Sequence, residues 1–473
     1  MYKNMAKLLL LLSTLSLLGG CAVGPEYVRP AMPVPSAFRE NSDWKTAAPQ
    51  GINPEDHWWE YYGDAKLNEL VSLANQSNQN ILLAEAQYRH AYALADAAQV
   101  SYYPTVGLSA GDSRGRTGSN LQSANSRTAT FNVSWEADLW GSIRRAVESG
   151  KATSQASAAD LAAARLTIQA AVVQDYIQLR ITDQLKALFA NTLAAYEKSL
   201  RLTQAQFSAG VVTRSDVALA ETTLKSAQAQ ATDLDVQRSQ LEHAIAILLG
   251  KTPAEFSLEP APMAIKLPVI PGILPSELLE RRPDVAGSER RVAAANANIG
   301  VAKTAYFPTL LLGGSATNPS ISQLLNTAPG LWSVGATVAG TLFDGGAHQS
   351  QNAQARANYD AAVAQYKQTV LNGFQEVEDN LAAQRVLEQE SRAQNDAVLS
   401  AREAERIILS QYRAGTANFV SVTTAQTLAL SNERAAVQLL GRQFTASVSL
   451  VKAIGGGWSS AQLTQELEKH ETR

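Results

Sequence analysis

The sequence predicts a mainly helical protein that also carries membrane-spanning β-strands and is built from two copies of one unit. Short motifs of the first half recur in the second half roughly 200 residues later, a spacing far longer than that of a solenoid repeat. Long stretches of both halves lack proline, which permits very long helices. Each half also contains segments in which polar and apolar residues alternate, as they do in strands that cross a membrane.

The internal repeat is visible in four pairs of short markers that keep a nearly constant separation. The pairs are Tyr102–Thr105 with Tyr306–Thr309, Leu139–Gly141 with Leu342–Gly345, Gln206–Gly210 with Gln411–Gly415, and Leu248–Gly250 with Ala453–Gly455. Chance does not readily maintain such a separation across several unrelated motifs. We therefore place a first repeat at residues 57–255 and a second at 284–457, with a linker at 256–283 and a C-terminal tail at 458–473.

The N-terminus has the features of a lipoprotein signal peptide, placed at residues 1–20. Two lysines precede the apolar run Leu8–Leu18, which is too short to span a bilayer as a helix. The run ends in Gly-Gly before Cys21 and resembles a bacterial lipobox. That resemblance implies cleavage before Cys21 and a covalent lipid such as palmitate on it, and Ala22 in the next position favours the outer membrane. The alternative is an incidental buried thiol.

Residues 21–56 are rich in proline and lack periodicity, so they are expected to form an extended lipidated tether. Cys21 is the only cysteine, which excludes a disulfide within the chain.

Charge and motif content argue against several functional classes. The net charge is −3, which gives no indication of nucleic-acid binding. The five histidines are scattered, and neither a nucleotide loop nor a nucleophile motif is present. We therefore expect no enzymatic activity, no catalytic residue, no metal site and no cofactor other than the lipid on Cys21.

Two very long helices are predicted at 142–208 and 347–413, where apolar residues follow the 4-3 spacing of coiled coils. Each helix would be about 100 Å long at 1.5 Å per residue. Glycines end them at tips 209–213 and 414–417, and helices at 214–249 and 418–454 return, so each half forms a helical hairpin. These helices alone would equally fit a cytoskeletal or scaffolding coiled coil.

The predicted strands favour a membrane protein over a cytoskeletal or scaffolding coiled coil. From Thr128 to Leu139 apolar and polar residues alternate without a break, over the length that a tilted membrane-spanning strand requires. The predicted strands are about 103–111, 128–139, 307–316 and 331–343. A soluble hairpin is the alternative. The polar segments between the paired strands, 112–127 and 313–330, are expected to be surface loops.

Four strands are too few for a barrel with a lumen, and an open sheet edge has no hydrogen-bond partners in lipid. The smallest spanning barrels have about eight strands. Either the strands lie outside a membrane, or several chains complete one barrel.

Several segments of the chain match a known family. These are Cys21–Tyr27, Trp58-Trp59, Gly63–Leu67, Leu278–Val285, Ala294–Val301 and Tyr306–Pro308. The chain resembles the TolC-type outer-membrane efflux factors, and more closely their NodT-like lipoprotein branch. The resemblance covers essentially the whole mature chain. It implies a homotrimer whose 12 strands form an antiparallel transmembrane β-barrel above a long α-helical coiled-coil barrel in the periplasm. It also implies that a shorter helix at 78–101 stacks end to end with the return helix 214–249, and their combined length matches that of the long helix 142–208.

The resemblance also implies a gate near the hairpin tips. It assigns Tyr412 and the pair Ser215-Asp216 to polar links that hold the periplasmic end shut, and a hydrogen bond between Tyr412 and Asp216 is the specific hypothesis. The alternative is that both residues merely face solvent at a helix end. Arg214 and Arg413 lie nearby and are further gate candidates, although surface ion pairs contribute little alone.

The chain departs from some family members at one position of the second tip and at two positions of the return helix that follows it. Ala417 stands where some members have arginine, and Ser421 and Thr424 stand where some have constriction-lining aspartates. Strong cation selectivity from a carboxylate ring at those positions is therefore in doubt. The tips themselves are the expected contacts for a periplasmic adaptor protein, through Ala209, Gly210, Val211, Ala414, Gly415 and Thr416.

The function expected from the resemblance is that of the outer-membrane channel of a tripartite efflux pump. It would be a passive duct that carries drugs or other small solutes, and it would thereby contribute to antibiotic resistance. An adaptor would link it to an inner-membrane transporter that supplies the energy. A non-channel envelope lipoprotein with a coiled-coil scaffold role is the alternative.

Overall fold

The computed structural model describes residues 22–41, 57–116, 123–268, 275–318 and 331–461. The predicted signal peptide and Cys21 lie outside these ranges, as do residues 42–56 of the predicted tether and residues 462–473 of the predicted tail.

The described residues form a structural repeat that follows the sequence repeat. The first half contains α1 (Ala65–Ser77), α2 (Gln79–Val100), β1 (Thr105–Arg116), β2 (Ser123–Ala137), α3 (Ser142–Ser208) and α4 (Arg214–Leu248). The second half contains α5 (Pro275–Arg281), α6 (Pro283–Thr304), β3 (Thr309–Asn318), β4 (Leu331–Ala339), α7 (Ala347–Arg413) and α8 (Phe419–Ala453). Helices at equivalent places have equal lengths: 22 residues in α2 and α6, 67 in α3 and α7, and 35 in α4 and α8.

The long helices α3 and α7 occupy the same ranges as predicted. The predicted helix 78–101 begins one residue later, because Asn78 has an extended backbone with ψ of 125° and separates α1 from α2. Its side-chain oxygen accepts hydrogen bonds from the N–H groups of Asn80 (2.9 Å) and Ile81 (3.2 Å), which caps α2.

The four strands form one antiparallel sheet in the order β1-β2-β3-β4. The β1–β2 ladder extends from Thr105↔Ser134 to Arg116↔Ser123, so the predicted loop 112–127 is mostly strand. Asp112 and Arg127 are paired in this ladder and form an ion pair of 3.3 Å, which lets charged residues continue the strands.

The other ends of the strands also differ from the prediction. Strand β2 ends at Ala137 because the carboxylate of Asp138 accepts from the N–H groups of Ile143 (3.0 Å) and Arg144 (2.9 Å) at the start of α3. Strand β3 begins at Thr309 because the N–H of Phe307 still bonds to the carbonyl of Thr304 in the last turn of α6.

The chain divides into two compact units. The sheet unit comprises Met1–Met32, Ala86–Ala158 and Ala286–Gln368, and the hairpin unit comprises Pro33–Glu85, Ala159–Val285 and Thr369–Arg473. Aromatic residues form part of the core of the hairpin unit, where the buried ring of Tyr62 lies 6.3 Å from that of Phe444. The Tyr62 hydroxyl also shares a hydrogen bond of 3.0 Å with Ser447.

The first described residues of the predicted tether pack against other residues of the sheet unit. The N–H of Val23 bonds to the carbonyl of Trp140 at 3.0 Å, and the carboxylate of Glu26 lies 2.7 Å from the buried guanidinium of Arg145. Gly24 lies against Gly300, where a side chain on Gly24 would come within 2.6 Å of the Gly300 Cα. Residues 22–26 are therefore a packed segment, whereas the sequence predicted only an extended tether.

Candidate functional site: a two-faced sheet and two hairpin tips

One face of the sheet is apolar. The antiparallel register places these residues side by side on it: Val106, Leu108, Ala110, Ala129, Phe131, Val133, Trp135, Ala137, Leu310, Leu312, Gly314, Ala316, Trp332, Val334, Ala336 and Val338. The side chains of Leu108, Trp332 and Val334 are 75 %, 77 % and 80 % exposed. In soluble proteins such a face packs against a core, so its exposure indicates contact with lipid.

The opposite face carries mostly hydroxyl, amide and glycine residues. Thr130 and Thr317 share a hydrogen bond of 3.1 Å across β2 and β3, and Ser315 and Ser333 share one of 2.9 Å across β3 and β4. Glu136 lies on this face, opposite Leu311. Such a surface is compatible with water, so one sheet combines a lipid-compatible face with a water-compatible one.

Strands β1 and β4 lie at the two edges of the sheet. Each therefore has one side whose backbone N–H and C=O groups have no neighbouring strand within the described part of the chain. In a membrane those groups require a partner, because lipid cannot hydrogen-bond to them.

The two hairpin tips, in the hairpin unit, share one backbone geometry. Gly210 and Gly415 have φ of 73° and 76°. The following N–H groups reach back over the helix ends, from Val211 to the carbonyl of Gln206 and from Thr416 to the carbonyl of Gln411, each at 2.9 Å. No atom of the described residues lies within 4 Å of the Cβ that either glycine would gain on substitution, so the left-handed conformation alone requires glycine there.

The return helices that follow the tips begin with different caps. At α4, Asp216 accepts from the N–H (2.9 Å) and hydroxyl (2.8 Å) of Thr213 in a capping box. At α8, the side-chain oxygen of Asn418 accepts from the N–H and the hydroxyl of Ser421, each at 2.9 Å.

Tyr412 lies in a contact between the two hairpins. It is 2 % exposed, and its ring lies 5.4 Å from that of Phe419. Its hydroxyl shares a hydrogen bond of 3.1 Å with Thr203 of α3. Burial raises the pKa of Tyr412; the bond to Thr203 lowers it and the charge of Asp216 raises it further. The link therefore joins α7 to α3 through a neutral hydroxyl.

The predicted hydrogen bond between Tyr412 and Asp216 is wrong within a single chain. The Asp216 carboxylate is engaged by the N-cap of its own helix, and the Tyr412 hydroxyl is engaged by Thr203. Sequence reasoning missed Thr203 as a site residue. Its presence as a polar residue within the predicted apolar seam of α3 was the available signal.

The other gate candidates have local contacts. The hydroxyl of Ser215 bonds to that of Thr213 at 2.6 Å, and the guanidinium of Arg214 lies 3.9 Å from the carboxylate of Glu221. Arg413 is exposed at the last position of α7. None of these contacts joins the two hairpins.

The constriction candidates are also locally satisfied. Thr424 is exposed and donates to the carbonyl of Val420 at 2.9 Å, while Ser421 belongs to the Asn418 cap. Of the adaptor-contact candidates, Ala209, Gly210, Val211, Ala414, Gly415 and Thr416 are all exposed.

A family model described as outer membrane efflux protein matches residues 70–251 and 274–456. Together these two segments span well over half of the chain and coincide with its two repeats. The chain belongs to the outer membrane efflux protein family. The family expected from the sequence is thereby confirmed.

Individual members of the outer membrane efflux protein family match nearly the whole chain. Outer membrane protein OprJ of Pseudomonas aeruginosa is 31 % identical over 464 residues, covering 94 % of this chain and 95 % of OprJ. The probable efflux pump outer membrane protein TtgC of Pseudomonas putida is 29 % identical over 465 residues, covering 95 % and 96 %.

Solved structures agree with these sequence matches. The structure of the outer-membrane channel OprN has a TM-score of 0.86 and 31 % identity, covering 93 % of this chain and all of that one. The open state of the Neisseria gonorrhoeae MtrE outer membrane channel has a TM-score of 0.83 and 25 % identity, covering 92 % and 98 %. The chain is thus an outer-membrane efflux channel component, as its two-faced sheet indicates.

Proposed function

We propose that three copies of this chain form the passive outer-membrane duct of a tripartite efflux pump. The observation that carries the proposal is the two-faced sheet, whose apolar face suits lipid and whose polar face suits an aqueous lumen. Its exposed edges, β1 and β4, are complementary, because β4 of one copy can pair with β1 of the next. Three copies would supply 12 strands and leave no edge unpaired.

The exposed hairpin tips support a second part of the proposal. A periplasmic adaptor would bind Ala209–Val211 and Ala414–Thr416, whose small side chains permit close approach of another helix. An inner-membrane transporter reached through that adaptor would supply the energy. The relatives' names mention efflux of antibiotics and toluene and export of pyoverdine. By analogy we propose small organic solutes, including antibiotics, as the cargo here.

A lipid on Cys21 would complete the anchorage. Cys21 itself lies outside the described residues, but Ala22 packs against Gly141, just after the end of β2. A lipid on the preceding residue would therefore start close to the end of the sheet. Mass spectrometry of the mature N-terminus tests the proposed acylation.

The contact of Tyr412 with Thr203 is the proposed intramolecular part of a gate. Loss of this contact would allow the two hairpins to separate near their tips. Asp216 would have a different role, which is to hold the start of α4 in place through its cap.

Single-channel recording in planar bilayers tests the duct and the gate. The full-length protein is expected to conduct as a trimer, and Tyr412→Phe is expected to raise the mean conductance, because it removes the hydroxyl link and keeps the ring. The matched control is Tyr176→Phe, which removes a buried hydroxyl bonded to Asp64 at 2.9 Å, away from the tips.

Two results would contradict these proposals. Absence of conductance would overturn the duct and leave the scaffold lipoprotein. Equal conductance of the parent and Tyr412→Phe would overturn the gate alone.

A further inference from the structure

The sheet unit contains a cavity of about 860 Å³ that is lined mainly by residues outside the apolar face of the sheet and outside the hairpin tips. It lies where the ends of β2, β3 and β4 meet the last turns of α6 and the first turns of α7. Glu136, Thr309 and Ala339 line it, and the register places all three on the polar face of the sheet. The cavity therefore opens on the side of the proposed aqueous lumen. Its volume is within the range of small-molecule sites.

Two carboxylates line the cavity, and one of them has no partner among the described residues. Asp138 also lines it, but the N–H groups of Ile143 and Arg144 occupy both of its carboxylate oxygens. Glu136 is exposed, and among the described residues it makes neither a hydrogen bond nor an ion pair. The described residues that line the cavity include no lysine, arginine or histidine. The cavity is thus electrostatically suited to a cation.

An aromatic wall lines the same cavity. The rings of Trp140 and Phe307 stack with centroids 4.7 Å apart and planes at 26°, and the indole N–H donates to the carbonyl of Pro308 at 2.7 Å. This bond holds the Trp140 ring in place, so the wall is preformed. Aromatic faces favour apolar bodies and also attract organic cations.

Side-chain amides supply the remaining polar groups. Asn298 of α6 and Gln351 and Gln354 of α7 line the cavity and are exposed. In the described part of the chain their amides form no hydrogen bonds, so each can donate to or accept from a solute without losing an existing contact.

We infer that this cavity is a solute-binding subsite in the wall of the duct, and that it prefers organic cations with an apolar, aromatic body. Glu136 attracts the positive charge, Phe307 contacts the apolar body, and the amides accommodate variable polar groups. The inference rests on the proposed duct, because it requires the polar face of the sheet to line the path of the solute.

The test measures binding of tetraphenylphosphonium and of its neutral relative triphenylphosphine oxide to the full-length protein in detergent, by equilibrium dialysis. Glu136→Gln is expected to weaken binding of the cation about five- to tenfold, since one close charge pair is lost, and to leave the neutral probe unchanged. Phe307→Ala is expected to weaken both probes.

Asp112→Asn is the matched control. It also removes a carboxylate from the sheet, but one that is paired with Arg127 and lies outside the cavity. Equal cation affinity in the parent and Glu136→Gln would overturn the inference, as would an equal loss in Asp112→Asn. Planar-bilayer conductance of the parent distinguishes failure of the subsite from failure of the duct. If the parent conducts but Glu136→Gln leaves cation binding unchanged, the subsite is refuted and the proposed duct stands.

Discussion

The two repeats join their helices at equivalent places with different chemistry. At the first joint, Ser77 and Asn78 of the α1–α2 junction contact Leu248–Gly250 at the end of α4. At the second joint, Arg281 and Arg282 of the α5–α6 junction contact Ala453–Gly455 at the end of α8. In both, the end of a return helix meets the start of a 22-residue helix, which is the stacking that the family resemblance implied for the first half.

Both joints contain a glycine with a positive φ that lies against a backbone carbonyl. Gly250 and Gly455 have φ of 68° and 95°. A side chain on Gly250 would lie 2.3 Å from the carbonyl oxygen of Ser77, and one on Gly455 would lie 1.9 Å from that of Arg281. Glycine is therefore required twice over, by conformation and by close approach.

The side chains differ. At the first joint neutral groups satisfy the end of α4: the amide of Asn78 donates to the carbonyl of Leu248 (2.8 Å), and the hydroxyl of Ser77 donates to that of Leu249 (2.7 Å). At the second joint the guanidinium of Arg282 donates to the carbonyl of Ala453 (3.1 Å).

Arg282 also pairs with two carboxylates, those of Asp284 and Glu376, each at 2.6 Å. Both joints thus place a glycine against a backbone carbonyl, while neutral donors satisfy the helix end at the first joint and a guanidinium does so at the second.

The largest expected effect comes from breaking the shared backbone feature. Gly250→Ala and Gly455→Ala are each expected to lower the free energy of unfolding by about 3 kcal/mol, through a strained φ and a clash with a backbone carbonyl. Gly455→Ala should be the worse of the two because its clash is closer. Denaturant unfolding of the full-length protein, followed by circular dichroism, measures the loss.

Gly63→Ala is the matched control for those variants. Gly63 has φ of 70° and nothing within 4 Å of an added side chain, so it reports the conformational cost alone, about 1 kcal/mol. If Gly250→Ala is no more destabilising than Gly63→Ala, the joint tolerates a side chain and the comparison fails.

A smaller effect is expected at the charged joint. Arg282→Met should lower the free energy of unfolding by about 2 kcal/mol, because it leaves the carbonyl of Ala453 without its donor. The loss stays moderate because Asp284 and Glu376 are 39 % and 51 % exposed and can be rehydrated. Thermal and denaturant midpoints of the full-length protein report it.

Arg442→Met removes an exposed pair with Glu390 and serves as its control, with an expected change within about 0.5 kcal/mol. Equal effects of the two substitutions would show that the contacts of Arg282 stabilise the fold no more than an exposed ion pair does.

The smallest effect is expected at the neutral joint. Asn78→Ala should lower the free energy of unfolding by about 1 kcal/mol, since it removes the cap of α2 and the donor to Leu248. The neighbouring Asn80→Ala, whose side chain is exposed, is the control in the same unfolding assay. A loss at Asn78 larger than that at Arg282 would reverse the order inferred for the two joints.

Sequence reasoning was accurate where the determinants are local. The bounds of α3 and α7 follow from apolar spacing and from tip glycines within the same segment. Strand ends were less accurate, because Asp138 caps α3 and Asp112 pairs with Arg127 across the ladder. The hydrogen bond that the resemblance implied between Tyr412 and Asp216 is absent within a single chain, because Asp216 is engaged locally by Thr213 and the Tyr412 hydroxyl is engaged by Thr203, which is distant in the sequence.

By itself, the sequence determined the duplication, the lengths of the long helices and the two-faced character of the strands. The duplication follows from motifs that recur along the chain, and the other two features depend on periodicity and on residues a few positions from each helix end. The tertiary structure alone decided that Thr203 contacts Tyr412, that Gly455 lies against Arg281, and that Glu136, which has no partner among the described residues, lines a cavity with an aromatic wall. These features depend on residues that are distant in the chain and become neighbours only when helices and strands pack.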